Sequence, residues 1–466
     1  MARARRLRGG TRTSRALATV ATGRSEEDTG EHSPVFGVGQ VVLLLSGLFA
    51  YGVSGAVNEA VGLFFPQLLH EFATLPAGRM ALVASSFTAG NALGLVFAGP
   101  LGDSRGRRWL ARRGVLGAIL ASLLVLGAPS VATFLLARAL LGICAGFFTV
   151  AIPTMITEGC PPRIVNTFLS IYPCGWPLGA LACIAVSSSP WRYALGGIPF
   201  LLCLPLAACL LWLPESPQFL LAKGRNREAA IATDRLGLRI PSAPTAVAAD
   251  TGARAGEVDR PQISFKLLGL AFMLRHVASE AVKVWLPVWL GSSMSGDVAR
   301  AMIMMYVLEA LGILGTASIM RRVGAGSESQ TCGPLASGAR LSFAMAFVAT
   351  LGCLLCRGSL VAAGCFGGMH LIAQANANNL LTALTCLIAS TEERARILAR
   401  FSLLSFIAGG LGPLMLSCMV SIHEGAFHGI GSILASAAVL YAVAAVISPS
   451  PLKRAELMGK GSQGTV

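Results

Sequence analysis

Charge is what this sequence has least of. Only 13% of its residues are Asp, Glu, Lys or Arg, against 54% hydrophobic, and the mean hydropathy is +0.68. So few charges cannot cover the surface of a soluble protein of 466 residues, which excludes the ordinary solvated class and points to a bilayer. Chemistry-bearing patterns are missing too. No nucleophile–base pair, metal-ligand spacing or phosphate-binding loop stands out, so neither an enzyme nor an ATP-driven pump is expected, and no metal or cofactor. HEGAFH at 423–428 has one residue too many between its histidines for the zinc-protease spacing and reads as an exposed loop. The 12 cysteines, Cys353 and Cys356 among them, lie mostly in apolar stretches without polar neighbours and read as buried structural thiols. The first 25 residues hold no apolar core, so they are no secretory signal; an organelle transit sequence and a disordered cytoplasmic tail remain the two readings.

What is present is length of apolar run. Stretches long enough to cross about 30 Å of hydrocarbon recur over 38–63, 79–101, 110–128, 131–155, 164–186, 191–213, 266–290, 298–320, 339–357, 359–387, 397–421 and 427–448. The expected fold is therefore an all-α polytopic membrane protein, with twelve transmembrane helices in two pseudo-symmetric six-helix bundles. An even number puts both termini on one side. Most of the 37 basic residues fall in the segments of that side, which makes it cytoplasmic. The net charge of +15 is thus explained by topology without a nucleic-acid partner. The expected division is a basic tail (1–37), a first bundle (38–213), a cytoplasmic loop (214–265), a second bundle (266–448) and a cytoplasmic tail (449–466). Within the loop, ESPQFLLAKGRNREAAIATDRLG can form a short amphipathic helix on the membrane face, while PSAPTAVAADTGARAGEVDR has the composition of disorder.

Between spans 2 and 3, GPLGDSRGRRWLARRG sets an aspartate and five arginines beside long apolar runs. Gly99, Leu101, Asp103, Gly106, Arg107 and Arg108 resemble the G-x-L-x-D-x-x-G-R-R signature of the major facilitator superfamily. Arg138, Gly142 and Gly146 resemble its R-x-x-x-G-x-x-x-G pattern in the fourth span, and Glu158 with Arg163 the acidic-Pro-Arg loop that follows. Trp191-Arg192 and Pro214-Glu215-Ser216-Pro217 are similar to the W-R and P-E-S-P signatures shared by sugar porters, organic ion transporters and synaptic-vesicle-glycoprotein-like transporters; the loop sequence and Glu309 in mid-span 8 are most like the last group. The second half departs from the pattern. ASIMRRVGAG carries Arg321 where the repeated signature has its aspartate, and the loop after span 10 keeps Glu393 and Arg400 but lacks Tyr-Pro between them.

The resemblance implies a carrier for a small organic solute that works by alternating access. It also implies a cytoplasmic latch in which Asp103 meets the positive end of a helix from the other half and the nearby Arg107, helped by Glu158, Arg163 and Glu215. The alternative for the motif is a topological anchor alone. Turn glycines let the short loop reverse.

An ionisable side chain at bilayer depth costs at least about 2.5 kcal/mol, so each needs a cavity, a partner or a helix end. Spans 3, 6, 9 and 12 carry none in their interiors beyond cysteine and tyrosine. Spans 1, 4, 7 and 10 carry Asn58 and Glu59, Arg138, the group from Arg275 to Lys283, and His370, Gln374 and Asn378. This period of three fits the resembled architecture, in which the first set lines a central cavity and the other faces lipid. His370, Gln374 and Asn378 stand at i, i+4, i+8 and form a polar stripe, either a substrate-facing wall or interhelical glue. Glu280 and Lys283, at i, i+3, are either a self-neutralising couple or a substrate contact. With Arg138, Arg275 and Lys283 in a net positive cavity, an organic anion or zwitterion is the favoured solute and a sugar the next. Glu59 and Glu309 are the candidates to load and unload a proton, with pairing to a buried base as the alternative. Trp176 can stack on a ring or pack on a neighbour. Gly175, Pro177 and Gly179, with Gly412-Pro413, are expected bending points. The expected protein is a monomer in the plasma membrane or an organelle membrane, and the competing reading is a non-transporting membrane receptor that keeps the same fold.

Overall fold

Backbone contact between helices requires glycine on both sides, and the first half of the chain supplies it. A Cβ at Gly142 would come within 2.8 Å of the Asn91 nitrogen, and one at Gly146 within 2.7 Å of the Asn91 carbonyl oxygen. The R-x-x-x-G-x-x-x-G spacing is thus a packing seam, placing two glycines one turn apart on one helix face. The computed structural model describes residues 37–72, 81–238, 264–293, 298–323, 328–355, 359–388, 397, 400–412 and 426–448.

The first half runs α1 (Val38–Asn58), a 3₁₀ turn (Val61–Phe64), α2 (Phe65–Glu71), α3 (Ala81–Arg105), α4 (Arg107–Leu126) and α5 (Val131–Gly159). It continues with α6 (Pro162–Ile171), a 3₁₀ turn (Tyr172–Cys174), α7 (Gly175–Ala185) and α8 (Ile198–Trp212). Two short helices, α9 (Pro217–Ala222) and α10 (Asn226–Arg235), follow, and they share a small apolar contact through Phe219, Leu220, Ala229 and Ala232. The second half holds α11 (Phe265–Ser293), α12 (Val298–Val323), α13 (Glu328–Leu355), α14 (Leu360–Ile388), α15 (Arg400–Gly412) and α16 (Ala426–Ile447).

Within the first half α3 packs on α5, α4 on α5 and α8, and α1 on α7 and α8; within the second, α14 packs on α12 and α13, and α16 on α11 and α13. Across the halves, α12 meets α6 and α7, and α11 meets the turn after α1. Among the described residues eight helical segments are long and apolar enough to cross a bilayer, at the expected positions of spans 1–6, 8 and 9. Helices α11, α14, α15 and α16 occupy the positions of spans 7, 10, 11 and 12. Large apolar side chains on α4 (Leu116, Leu120, Leu123), α8 (Leu201, Leu204, Leu211), α13 (Leu341, Val348, Leu355) and α16 (Val439, Val443, Val446) are exposed, as lipid-facing helices require.

Three local expectations are corrected. Span 5 is interrupted at Tyr172–Cys174, one turn before Trp176, because Pro173 cannot donate into the helix ladder. The single amphipathic helix of the loop is two helices separated at Gly224, which has φ +71°. Gly99 is not a turn residue: it lies inside α3, and a Cβ there would meet nothing within 4 Å. The reversal rests on Gly106 alone, with φ +108°. The tail 1–36, PSAPTAVAADTGARAGEVDR, Cys356, residues 391–396, Pro413 and the segment 449–466 lie outside the described residues, as do the side chains of Arg163, Arg321 and HEGAFH.

Candidate functional site

α1 ends at Asn58, with Glu59 and Ala60 in the turn that follows, and this end brings a carboxylate against α11 and α12. Glu59 is fully buried. Its Oε1 lies 2.6 Å from Nζ of Lys283 on α11 and accepts from the Trp176 indole N–H of α7 at 2.5 Å. Its Oε2 accepts from the Tyr306 hydroxyl of α12 at 3.1 Å, and the same hydroxyl lies 3.3 Å from the Glu59 carbonyl oxygen. Lys283 has a second carboxylate, Glu280 of its own helix, at 3.5 Å, and the Asn58 amide donates to the other oxygen of Glu280 at 3.1 Å. The ammonium also stands 5.5 Å from the centre of the Trp176 ring. One cation is thus shared by two carboxylates in a nearly dry setting, each carboxylate held by further donors; burial makes such a pair strong in gross attraction and expensive in desolvation.

Glu309, one turn along α12 from Tyr306, is buried, and its Oε2 has no hydrogen-bond partner among the described residues. It is within electrostatic reach of both Glu59 and Lys283. Both proton-coupling candidates therefore sit around one ammonium.

The structure brings together Asn58, Glu59, Trp176, Glu280 and Lys283. It does not bring Arg138 to them. Arg138 is buried between Phe87 and Phe134, donating from Nε to the Val83 carbonyl at 2.6 Å and from Nη1 to the Val57 carbonyl at 2.8 Å, so it ties α1, α3 and α5 together. Nη2 is buried without a hydrogen-bond partner among the described residues, and the two carbonyls leave the guanidinium's charge unmatched.

The α14 stripe also separates. Gln374 accepts from Arg275 of α11 at 2.9 Å, and Arg275 lies 3.0 Å from Nδ1 of its neighbour His276. His370 points elsewhere: it is fully buried, 3.2 Å from the Thr350 hydroxyl of α13 and 5.4 Å, ring to ring, from Tyr441 of α16. Positions four apart on an α-helix are rotated by roughly 40°, so three such positions fan over about 80° and reach different neighbours. Asn378 is half-buried at the far end of the fan. Sequence reading missed Tyr306 altogether; its place one turn before Glu309 was the available signal.

At the α3–α4 junction Arg107 pairs with Asp103 at 3.3 Å and Glu158 at 3.5 Å, and donates to the Gly102 carbonyl at 3.0 Å. Glu215 accepts from the backbone N–H groups of Arg108 and Ser216, both at 3.0 Å, and so caps the positive start of α4. A Cβ on Gly106 would come 2.8 Å from the Glu215 carboxyl carbon, so the glycine also makes room for the cap. Arg108 and Arg112 both donate to the Leu210 and Leu211 carbonyls at the end of α8. The side chain of Asp103 is 78% exposed, and its partner is Arg107 of its own half. Among the described residues no ion pair joins Asp103 to a helix of the other half.

Long apolar helices and a buried ion cluster between α1, α7, α11 and α12 define a polytopic membrane protein of the carrier type. The model of the Major Facilitator Superfamily matches residues 47–413, and the chain belongs to that family, one of transporters and not of enzymes. The chain is 29% identical over 167 residues to a probable glucose transporter of Neurospora crassa, which is 34% of this chain and 27% of the relative. It is 30% identical over 189 residues to the galactose-proton symporter of Escherichia coli, or 39% of this chain and 38% of the symporter. The chain thus spans between about a quarter and two fifths of the length of these curated relatives. Among solved structures it resembles a partially occluded inward-open conformation of the E. coli xylose transporter XylE, with TM-score 0.64 and 15% identity over 88% of this chain and 95% of that one, a likeness of fold.

Proposed function

We propose that this protein carries a small polar organic solute across a membrane by alternating access, with the Glu59–Lys283 bridge as a closure between the two halves. The observation that carries the reading is the 2.6 Å contact itself: a buried ion pair whose members belong to different bundles and which any rocking of one bundle against the other must break. Asn58, Trp176, Glu280, Lys283, Gln374 and Asn378 are the proposed solute contacts. A proton arriving at Glu59 neutralises the nearest partner of Lys283 and loosens the bridge; Glu309, whose Oε2 has no hydrogen-bond partner among the described residues, is the second proton site.

A sugar is the solute this site fits best. An organic anion depends on a net positive lining, and Lys283, the cation among the proposed contacts, is matched by two carboxylates. The named sugar carriers among the relatives support the same choice. The proposed division is the expected one: a tail over 1–37, bundles over 38–213 and 266–448, the loop 214–265 and a tail over 449–466, with both termini cytoplasmic and the protein a monomer. The test is counterflow in proteoliposomes with glucose, galactose, xylose and a set of organic acids. Sugar counterflow is expected. Uphill accumulation driven by a proton gradient should be lost in Glu309→Gln while counterflow persists. Counterflow of acids only would replace the sugar reading by the anion one, and binding without counterflow of any solute would favour the receptor.

A further inference from the structure

Among the described residues, charged side chains also line a cavity of about 420 Å³ formed by the end of α3, the start of α4, the P-E-S-P turn and the helices α9 and α10. Five arginines border it, Arg105, Arg108, Arg112, Arg225 and Arg235, and two carboxylates, Glu215 and Glu228. Both acids are taken. Glu228 is held by Arg225 at 2.5 and 2.7 Å, and Glu215 accepts from the two backbone N–H groups at the start of α4. The other four guanidinium groups have no carboxylate at ion-pair distance among the described residues.

They are nevertheless oriented. Arg108 and Arg112 are fixed by two carbonyls each, Arg105 stacks 5.0 Å from the Trp109 ring, and Arg235 stacks 4.9 Å from the Trp212 ring. Planar forks held on aromatic faces around a polar hollow suit phosphate oxygens, which accept paired N–H donors. At the edge of the hollow the exposed side chain of Ile231 offers an apolar surface. We propose that this cavity binds a phosphate-bearing anion, either the headgroup of an anionic phospholipid or a free phosphorylated solute. Because Glu215 belongs both to the cavity and to the cap of α4, occupancy tethers α9 and α10 to the α3–α4 junction.

The experiment uses the purified full-length protein in detergent with dioctanoyl phosphatidylglycerol, dioctanoyl phosphatidylcholine and inorganic phosphate, read by thermal shift and by tryptophan fluorescence. Phosphatidylglycerol is expected to bind saturably. Its apparent affinity should fall roughly thirtyfold in Arg105→Gln with Arg235→Gln, two exposed positions. Arg113→Gln, which removes a guanidinium on Trp109 that does not line the cavity, should leave it unchanged. Phosphate alone reproducing the variant-sensitive binding identifies a soluble source; a requirement for acyl chains identifies the lipid. Equal binding of phosphatidylcholine by the parent protein overturns the proposal whether or not the double variant folds. So does a double variant that binds as the parent does, or an Arg113→Gln loss as large as that of the double variant.

Discussion

Replacing Lys283 by Met removes the one ammonium that serves two buried carboxylates. At an effective dielectric of about 20, unit charges 2.6 and 3.5 Å apart attract by about 6 and 5 kcal/mol in gross terms. Most of that is offset by desolvation, so the net worth of the cluster is small while the cost of breaking it one-sidedly is not. Uncompensated buried charge costs about 3–5 kcal/mol. The lower end applies here, because Glu59 keeps its Trp176 and Tyr306 donors and Glu280 keeps Asn58. At about 2 °C per kcal/mol, the apparent melting temperature should drop by roughly 6 °C. The assay is tryptophan-detected unfolding of the purified protein as a double-mutant cycle with Glu59→Gln. In the Lys283→Met background removal of the Glu59 charge relieves repulsion between the carboxylates, so its cost should shrink or change sign, giving a coupling of about 2–3 kcal/mol. Exchanging the charges, Glu59→Lys with Lys283→Glu, should recover part of the loss. Additive single effects, or a Lys283→Met variant melting within about 1 °C of the parent, would refute the claim that the halves are joined energetically at this pair.

Arg138→Lys keeps the charge but cannot span the Val83 and Val57 carbonyls, so it should cost about 2 kcal/mol in stability while leaving solute affinity as it was; a changed affinity with unchanged melting would return Arg138 to the solute cavity. Gly142→Leu drives a side chain into the backbone of α3 and should abolish the monodisperse peak in size-exclusion chromatography, whereas Gly99→Leu, which faces open space, should not. Asp103→Asn should change stability by less than about 1 kcal/mol, since the pair with Arg107 is largely solvated; a larger loss in thermal melting would mean that Asp103 has a buried partner.

Length, hydropathy and local spacing carried the all-helical architecture, and the reason is that bilayer physics acts locally: a span must be apolar along its own length whatever it packs against. The glycine spacing of α5 and the turn at Gly106 were readable on the same grounds. Partner choice was not. Glu280 and Lys283 advertise a pair at i, i+3, and nothing in the string says that the nearer carboxylate is Glu59, on a different bundle. Arg138 advertises a buried charge, and nothing in the string says that two of its nitrogens bond the Val83 and Val57 carbonyls. His370 counted with Gln374 because a strict i+4 stripe ignores the helical drift that sends one side chain to Tyr441 and the other to Arg275.

If the Glu59–Lys283 pair is the closure proposed above, the arrangement around Lys283 lets it open. If Glu59 were the sole partner of the ammonium, separating the halves would strand a charge at bilayer depth, a cost comparable to the stability of many proteins' weaker elements. Glu280 travels on the same helix as Lys283, and its oxygen already stands 3.5 Å away, so the cation keeps a counter-charge when α11 moves. Glu59 in turn keeps Trp176, which belongs to its own half. Each side of the junction thus carries a resident partner for its own charge, and the 2.6 Å bridge is the only ion pair among the described residues that spans the halves. What separating the two sides must overcome is then the difference between one shared and two separated sets of partners, less than the desolvation of a free ion.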